Sequence, residues 1–426
     1  MNILMIAPQP VFSPRGTPIS VTNRCRALAA LGHTVDLVTY PLGEDVAIDG
    51  VRWLRAPRIP GITKVKIGPS AAKLPLDAAV LAKATAHAVR GRKTYDVVHT
   101  HEEAGVFGWW FSRLLGIPHL YDMHNGLGVV LINYGFGERH PVVRTFQWLE
   151  RKMLSSARSV IVVFPSLARE AERSVPGTDA EIIYNVPVEP RPNLRLAAAM
   201  RADWAPDGEP VVLYTGTLEP YQGMPLLVEA MSHVRPLADG RRPRLVVVGG
   251  RPDQVAELRA QADALGLGDR VLLTGLRPPQ EMTTCMAAAD VLISPRSSGD
   301  NTPLKIYSYM HSGRPIVATR IESHTQVLDD LSALLVEPDA ASLAAGVDAV
   351  LADPALASRL GAGSRERGER HFSIRAFVEG TARAYVKLGA PYPDARTLEA
   401  AVRRLEPASV TGAGDDLDPG ADADVA

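Results

Sequence analysis

Short apolar runs recur between stretches of helical length in the first part of the chain, at residues 3–6, 34–38, 97–99, 119–121 and 160–164. Such runs, separated by crossovers long enough for a helix, predict parallel strands in a doubly wound sheet. The pattern stops at a proline-rich connection, Asn185-Val186-Pro187-Val188-Glu189-Pro190-Arg191-Pro192, followed by an alanine-rich helix. It resumes at residues 211–214 and runs through 245–248, 271–273, 291–293, 316–318 and 333–336. The chain is therefore expected to be α/β, with two doubly wound domains. We place the first at 1–190, a linker at 191–209 and the second at 210–372. C-terminal helices follow at 373–408, with Ser373 as an N-cap and the option of crossing back to the first domain, and then an acidic, disordered tail at 409–426.

Polar residues gather where strands end, and ligands of open parallel sheets sit beyond those carboxyl ends. After residues 291–293 comes Pro295-Arg296-Ser297-Ser298-Gly299-Asp300-Asn301-Thr302-Pro303-Leu304-Lys305. Thr302 is expected to cap a helix that starts at Pro303, since proline lacks the amide hydrogen left over at that position. Lys305 then falls in the first turn, where a cation opposes the helix dipole by about 0.3–1 kcal/mol unless a bound anion reverses the sign. A second Thr-Pro start, Ser13-Pro14-Arg15-Gly16-Thr17-Pro18, opens the first crossover helix. Gly16 there permits close approach of backbone to a ligand. Many strand-to-helix turns carry glycine and proline for geometry alone, so the loop by itself does not define a site.

Val98-His99-Thr100-His101-Glu102-Glu103 and Tyr121-Asp122-Met123-His124-Asn125-Gly126 end two neighbouring strands and should converge on one crevice. Their histidines lack the close helical pairing of metallohydrolase motifs, so no metal site is expected. Gly249 and Gly275 follow strands of the second half and allow a nucleotide to approach the same edge.

Composition narrows the partners. At 426 residues and 46% hydrophobic content the chain can fill two cores, and its formal net charge of -1 gives no global attraction to nucleic acid. Cys25 and Cys285 are its two cysteines, too few and too distant for a disulfide framework, which suits a reducing cytoplasm. The first residues have no basic leader, and no apolar run reaches the roughly eighteen residues of a membrane span. Any membrane contact is expected to be peripheral, at the inner face. The basic stretch from Arg58 to Lys93, which also holds Lys64, Lys66, Lys73, Lys83, Arg90 and Arg92, is the segment expected to meet an anionic surface.

With its two halves, short connection and glycine turns, the chain resembles the retaining glycosyltransferases of family 4, whose type B fold sets two Rossmann-like domains across a central cleft. The resemblance covers roughly residues 1–390 and is carried by several segments in order. They are the Gly16 loop, Leu28-Ala29-Ala30-Leu31-Gly32-His33-Thr34-Val35, Val98-His99-Thr100-His101, the His124 segment, and residues 214–223 and 290–319. It implies a nucleotide-diphosphate sugar held by the second domain as co-substrate, a glycan or lipid-linked acceptor on the first, no cofactor, and transfer with retention. Catalytic roles fall to Asp300 and His124. Gly16, Thr17, Thr217, Gln222, Arg296 and Lys305 are expected at the donor diphosphate, Gly249, Gly275 and Ser308 at the nucleotide and ribose, and Arg15, His101 and Asn125 at the acceptor or cleft.

The chain departs from the family in two motifs. Thr217 and Gln222, in Gly216-Thr217-Leu218-Glu219-Pro220-Tyr221-Gln222-Gly223, stand where the family carries an arginine and a lysine for the diphosphate. Asp300 and Ser308 stand where it carries two glutamates. Arg296, Lys305 and Arg15 are the cations available to compensate. Two other readings remain open at this point: a noncatalytic relative that has lost the donor site, and a 2-epimerase of the same fold drawing on Glu102, Glu103 and Asp122.

Overall fold

The computed structural model describes residues 1–11, 16–44, 46–65, 72–90, 94–186, 188–299 and 301–406. Asp300, Arg15, Lys66, Arg92, Lys93 and the acidic tail lie outside the described residues.

The first domain has seven strands: β1 (Asn2–Ala7), β2 (Thr34–Thr39), β3 (Val51–Arg55), β4 (Val97–His101), β5 (His119–Met123), β6 (Ser159–Val162) and β7 (Ala180–Ile182). They are ordered β3-β2-β1-β4-β5-β6-β7, and every pairing is parallel. Helices α1 (Gly16–Ala30), α2 (Lys73–Arg90), α3 (Gly105–Leu115), α4 (Leu127–Asn133), α5 (Pro141–Ser156) and α6 (Pro165–Ser174) complete it. Because strand side chains alternate, Ile3, Met5 and Ala7 enter the core beneath α1 while Leu4 and Ile6 enter the core beneath α2 and α3.

The second domain opens with α7 (Leu194–Trp204) and contains β8 (Val211–Thr215), β9 (Arg244–Val248), β10 (Val271–Gly275), β11 (Val291–Ser294), β12 (Ile316–Thr319) and β13 (Leu334–Val336). Its order is β10-β9-β8-β11-β12-β13, again parallel throughout. The crossovers are α8 (Met224–His233), α9 (Pro252–Ala264), α10 (Met282–Ala287), α11 (Leu304–Ser312) and α12 (Glu322–Thr325), and α13 (Ala340–Ala352) and α14 (Pro354–His371) follow. The molecule is thus two Rossmann-like halves of the type B architecture.

The last two helices, α15 (Ile374–Val386) and α16 (Ala395–Leu405), pack on the first domain, where Phe377, Val378, Tyr385, Leu398 and Val402 share a core with Ile3 and Met5. Ser373 caps α15 by accepting from the Ala376 amide at 3.2 Å. Two features differ from the sequence reading. The helix assigned to the linker, α7, buries Ala197, Met200 and Trp204 in the core of the second domain, so it is part of that domain. The reading also omits β3 and β7. Both are edge strands with mixed exposure, so neither presents the continuous apolar run that marks a strand buried on both faces.

In each sheet the strand order reverses beside the first strand, between β1 and β4 and between β8 and β11. A crevice forms beyond the carboxyl ends at such a switch point. The two crevices face one another across a cleft of about 1980 Å³ lined by Asn125, Gly126, Tyr221, Arg296, Gly299 and Asn301, among others. Polar bridges span it, from Asn301 Nδ2 to Asn125 Oδ1 at 2.7 Å, from Arg169 to Glu322 at 2.6 Å and from the Ser166 amide to Gln326 Oε1 at 2.8 Å.

Candidate active site

In the second domain, glycines let three strand-end turns touch. Gly249 has a φ of +127°, and a Cβ there would stand 1.9 Å from the Gly216 carbonyl oxygen, so backbone meets backbone. The Gly249 amide donates to the Gly275 carbonyl at 2.8 Å, which places both expected nucleotide glycines at one edge. Thr217 is exposed, and its carbonyl accepts from the Tyr214 hydroxyl at 2.6 Å.

Gln222, at the position of a missing cation, is only 6% exposed and holds another cation in place. Its Oε1 accepts from Lys305 Nζ at 3.1 Å, while Nζ stands 3.6 Å from the centre of the Tyr214 ring. Among the described residues Lys305 has no carboxylate partner. Burial, aided by repulsion from Arg296, pushes its pKa well below the usual lysine value. Lys305 sits one position earlier in its helix than the sequence predicts, because α11 begins at Leu304. Pro303 has a ψ of 132° and is itself the half-in residue, and the Thr302 side chain makes no cap. The lysine is turned inward along the Tyr214 face rather than bent into solvent.

Arg296 is 8% exposed and largely braces its own loop. Its Nε donates to the Ser298 carbonyl at 2.7 Å, one Nη donates to the Asn301 carbonyl at 2.9 Å, and the guanidinium lies 5.1 Å from the Tyr221 ring centre. Its charge therefore stays at the cleft wall with two N–H groups already engaged. Beneath it, His324 is fully buried between Ser294 Oγ and the Thr319 carbonyl, at 2.9 and 2.8 Å, and burial lowers its pKa to about 4. Ser308 donates to Glu189 Oε1 at 2.9 Å. Burial raises the pKa of Glu189, opposed by that same hydrogen bond.

In the first domain, Gly16 and Thr17 begin α1, and the helix carries Arg24, fully buried, to the sheet. Arg24 Nε donates to Asp122 Oδ2 at 3.3 Å, an Nη donates to Thr381 Oγ1 at 2.5 Å, and the guanidinium lies 4.6 Å from the Phe377 ring centre. Asp122 also faces three histidines: His99 Nε2 at 3.5 Å, His101 Nδ1 at 3.6 Å and His124 Nε2 at 3.1 Å. Burial alone would raise the pKa of Asp122, but Arg24, His101 and His124 outweigh it and hold the carboxyl well below the carboxylate range. Burial alone would lower the pKa of His124, and Asp122 overrides it in the upward direction. His101, stacked on His99 with ring centres 4.7 Å apart, is driven well below its ordinary value by burial.

Ligand atoms of His99, His101 and Asp122 lie within 4.8 Å of one another, close enough to suggest a metal. Arg24 already stands on the shared Asp122 oxygen, however, and a second positive centre there would face direct repulsion.

Glu102, just past β4, is the one non-glycine among the described residues in the left-handed region, at φ +51°. Its Oε1 accepts from Asn125 Nδ2 at 3.0 Å, and burial, partly offset by His124, raises its pKa to about 7. Asn125 thus joins Glu102 to Asn301 of the opposite domain. Sequence reasoning did not single out Arg24, Glu189 or His324. A charged residue in the middle of a buried helix pattern and a lone acid in a proline-rich connection were the available signals for the first two.

Two parallel-sheet halves with a polar crevice at each switch point, facing one another across a cleft, have the architecture of a type B glycosyltransferase. Residues 15–186 match the family described as Glycosyl transferase 4-like domain, and residues 209–353 match Glycosyl transferases group 1. The chain belongs to glycosyltransferase family 4. It is 29% identical over 381 residues to the D-inositol 3-phosphate glycosyltransferase of Xylanimonas cellulosilytica, covering 83% of this chain and 88% of that one. Among solved structures, the sucrose-phosphate synthase of Thermosynechococcus elongatus superposes with a TM-score of 0.74 at 26% identity, over 91% of this chain and 99% of that one. Anabaena HepE, solved in complex with UDP and glucose, superposes with a TM-score of 0.68 at 19% identity, over 91% and 99%.

Proposed function

We propose that the enzyme transfers a hexosyl group from a nucleotide-diphosphate sugar to a hydroxyl of a glycan or lipid-linked acceptor, with retention at the anomeric carbon. The observation that carries this reading is Lys305, a cation held by Gln222 and Tyr214 against the Gly216 turn without an acidic partner among the described residues. An ammonium kept from solvent and lacking a counter-charge favours an incoming anion, and the donor diphosphate is one.

In this reading Lys305 and the amides at the start of α11 take the diphosphate, Arg296 adds charge from the loop, and Gly16 and Thr17 close from the first domain. Thr217 and Gln222 give no charge themselves; Gln222 fixes Lys305. Gly249 and Gly275 leave room for the nucleotide, with Ser308 at the ribose, while Asp300 orients the donor sugar. His124, whose pKa Asp122 raises, donates to the sugar or to the entering acceptor, with Asn125 and Arg15 on the acceptor side and His101, fully buried, behind them rather than at the cleft as the sequence suggested. The bond from the anomeric carbon to the diphosphate breaks as the acceptor oxygen bonds to the same face. The acceptor proton passes to the departing diphosphate, so proton and charge balance without a cofactor. Arg24 on Asp122 makes the histidine cluster a charge-balanced support for His124, and no metal is required.

We place the enzyme in the cytoplasm, peripheral at the inner face of a membrane. Among the described residues no single helix is long and apolar enough to cross a bilayer. A panel of nucleotide sugars screened by thermal shift should yield a stabilising donor. Lys305→Ala should then weaken that donor by about tenfold to a hundredfold, since a charged hydrogen bond contributes about 1.5–3 kcal/mol. Unchanged donor affinity and turnover in Lys305→Ala and Arg296→Ala would remove both residues from the diphosphate site.

A further inference from the structure

The helices α2, α3 and α5 form one layer on the first sheet, with α3 packed between the other two. On the outward side of α3, Trp110 is 49% exposed and Leu114 is 60% exposed, one turn apart. Trp148 of α5 is 45% exposed and meets Trp109 edge-on, with ring centres 6.1 Å apart, so the two helix surfaces are continuous. Cations flank the rings: the Arg113 guanidinium lies 5.7 Å from the Trp109 centre and Lys152 Nζ lies 5.7 Å from the Trp148 centre. Arg144 and Arg151 are exposed on α5 as well. The only acid in either helix is Glu150, 3% exposed, whose carboxylate turns inward to accept from the Leu127 amide. Glu138, in the connection before α5, stands beside Arg139.

Exposed tryptophans are costly to hold in water and suit the boundary between headgroups and acyl chains, where indole is half solvated. Arginine and lysine beside them, unopposed by exposed acids in these helices, select a negatively charged surface. The same α5 that shows Trp148 outward lines the interdomain cleft with Gln147, Glu150 and Arg151. A surface resting on this face would therefore lie beside the cleft mouth.

We propose that the outward face of α3 and α5, centred on Trp110, Leu114 and Trp148, is the surface that seats the enzyme on a bilayer bearing anionic headgroups. This rests on the peripheral placement proposed above and moves the contact away from the basic 58–93 stretch. In α2, Leu76, Val80, Ala84 and Ala88 face the core and Lys73 pairs with Glu103 at 3.4 Å, which leaves less cationic, less aromatic surface there.

The test is co-sedimentation of the full chain with phosphatidylcholine vesicles containing phosphatidylglycerol, against vesicles of phosphatidylcholine alone. The wild type should bind the anionic vesicles, and more weakly as salt rises. Trp110→Ser with Leu114→Ser should lower partitioning by about tenfold. Arg113→Glu with Arg144→Glu, a pair of exposed changes that leaves the aromatic residues in place, should abolish the preference for phosphatidylglycerol. Leu74→Ser with Arg90→Ser in α2 should leave binding unchanged. Donor-induced thermal shift should be the same in all these variants, which separates failure here from failure of the glycosyltransferase mechanism. Absence of wild-type binding to anionic vesicles, wild-type binding by the α3 variants, or a concentration-dependent dimer that Trp110→Ser dissolves would overturn the proposal.

Discussion

The two crevices are built from similar folds and solve opposite electrostatic problems. At the edge of the first sheet every buried charge has a counterpart: Arg24 meets Asp122, and Asp122 meets His124, with Thr381 and Tyr385 of α15 sealing the cluster from behind. At the edge of the second sheet Lys305 is held by neutral groups, a glutamine and a tyrosine ring, without a carboxylate partner among the described residues, while Arg296 donates to backbone carbonyls of its own loop. The first arrangement is balanced in charge by its own residues, although several of its ring nitrogens have no hydrogen-bond partner. The second is completed by an anion, which is how a fixed wall and a donor pocket differ physically.

The largest effect should come from breaking the balanced side. Asp122→Ala leaves the Arg24 guanidinium buried without a counter-charge, and removing one partner of such a pair costs about 3–5 kcal/mol. Thermal melting should fall accordingly, in a transition that includes α15 because Thr381 shares the cluster. In a folded Asp122→Asn protein, the His124 pKa should fall below that of the wild type, since burial is then opposed by Glu102 but no longer by the Asp122 charge. A His124 titration unchanged from the wild type in that variant, read by NMR, would show that Asp122 is not its partner.

The incomplete side predicts a proton linkage. The Lys305 pKa is depressed in the free protein, and a diphosphate would raise it. Donor binding should take up a proton, and affinity should fall as pH rises through the interval between the free and bound values. Calorimetry in buffers of different ionisation enthalpy reads the uptake, and Lys305→Met should lose both the uptake and about 1.5–3 kcal/mol of affinity. Stability has its own sign. An unfolded lysine binds more protons than Lys305 in the fold, so this residue makes the protein more stable as pH rises towards the ordinary lysine pKa.

Glu102 tests where the two sides meet, through Asn125 and Asn301. Its pKa of about 7, against 4.5 ordinarily, means that the folded state binds more protons between those values. Stability from this group is therefore full below about pH 4.5 and declines as pH rises to about 7. Glu102→Gln keeps an acceptor for Asn125 and should stabilise the protein by about 1–2 kcal/mol at pH 8, after allowance for solvent screening. At pH 4.5 it should change little. An equal effect at both values would assign the change to the strained backbone instead.

The sequence was most readable where burial is two-sided. The central strands of both sheets announce themselves as apolar runs, whereas β3 and β7 at the edge do not, because half of each faces away from the core. Lys305 was visible as a cation in a first turn. Gln222 read only as a lost charge, because its role depends on meeting Lys305, 83 residues away. The Arg24–Asp122 pair, 98 residues apart, was invisible for the same reason, and a helix pattern interrupted by arginine was its only local trace.

The smallest effect concerns the contact that ties the connection between domains to the donor side. Ser308 Oγ donates to Glu189 Oε1 across 119 residues of sequence, at the position where the family resemblance led us to expect a glutamate. Ser308→Ala should cost about 1 kcal/mol, because it leaves a part-buried carboxylate without its donor. It should also raise the Glu189 pKa further, since the hydrogen bond is the influence that now opposes burial. Between the ordinary glutamate value and that raised value, stability of the variant should fall more steeply with pH than that of the wild type. Glu189→Gln should remove this pH dependence and cost less, because a neutral amide can still accept from Ser308. Ser308→Glu, which supplies the expected glutamate, should be the worst of the three above neutral pH, where two carboxylates would compete for one site. Relief of that penalty by Glu189→Gln, in a double-mutant cycle of melting temperatures, would show that the carboxylate at this position has moved from the helix to the connection.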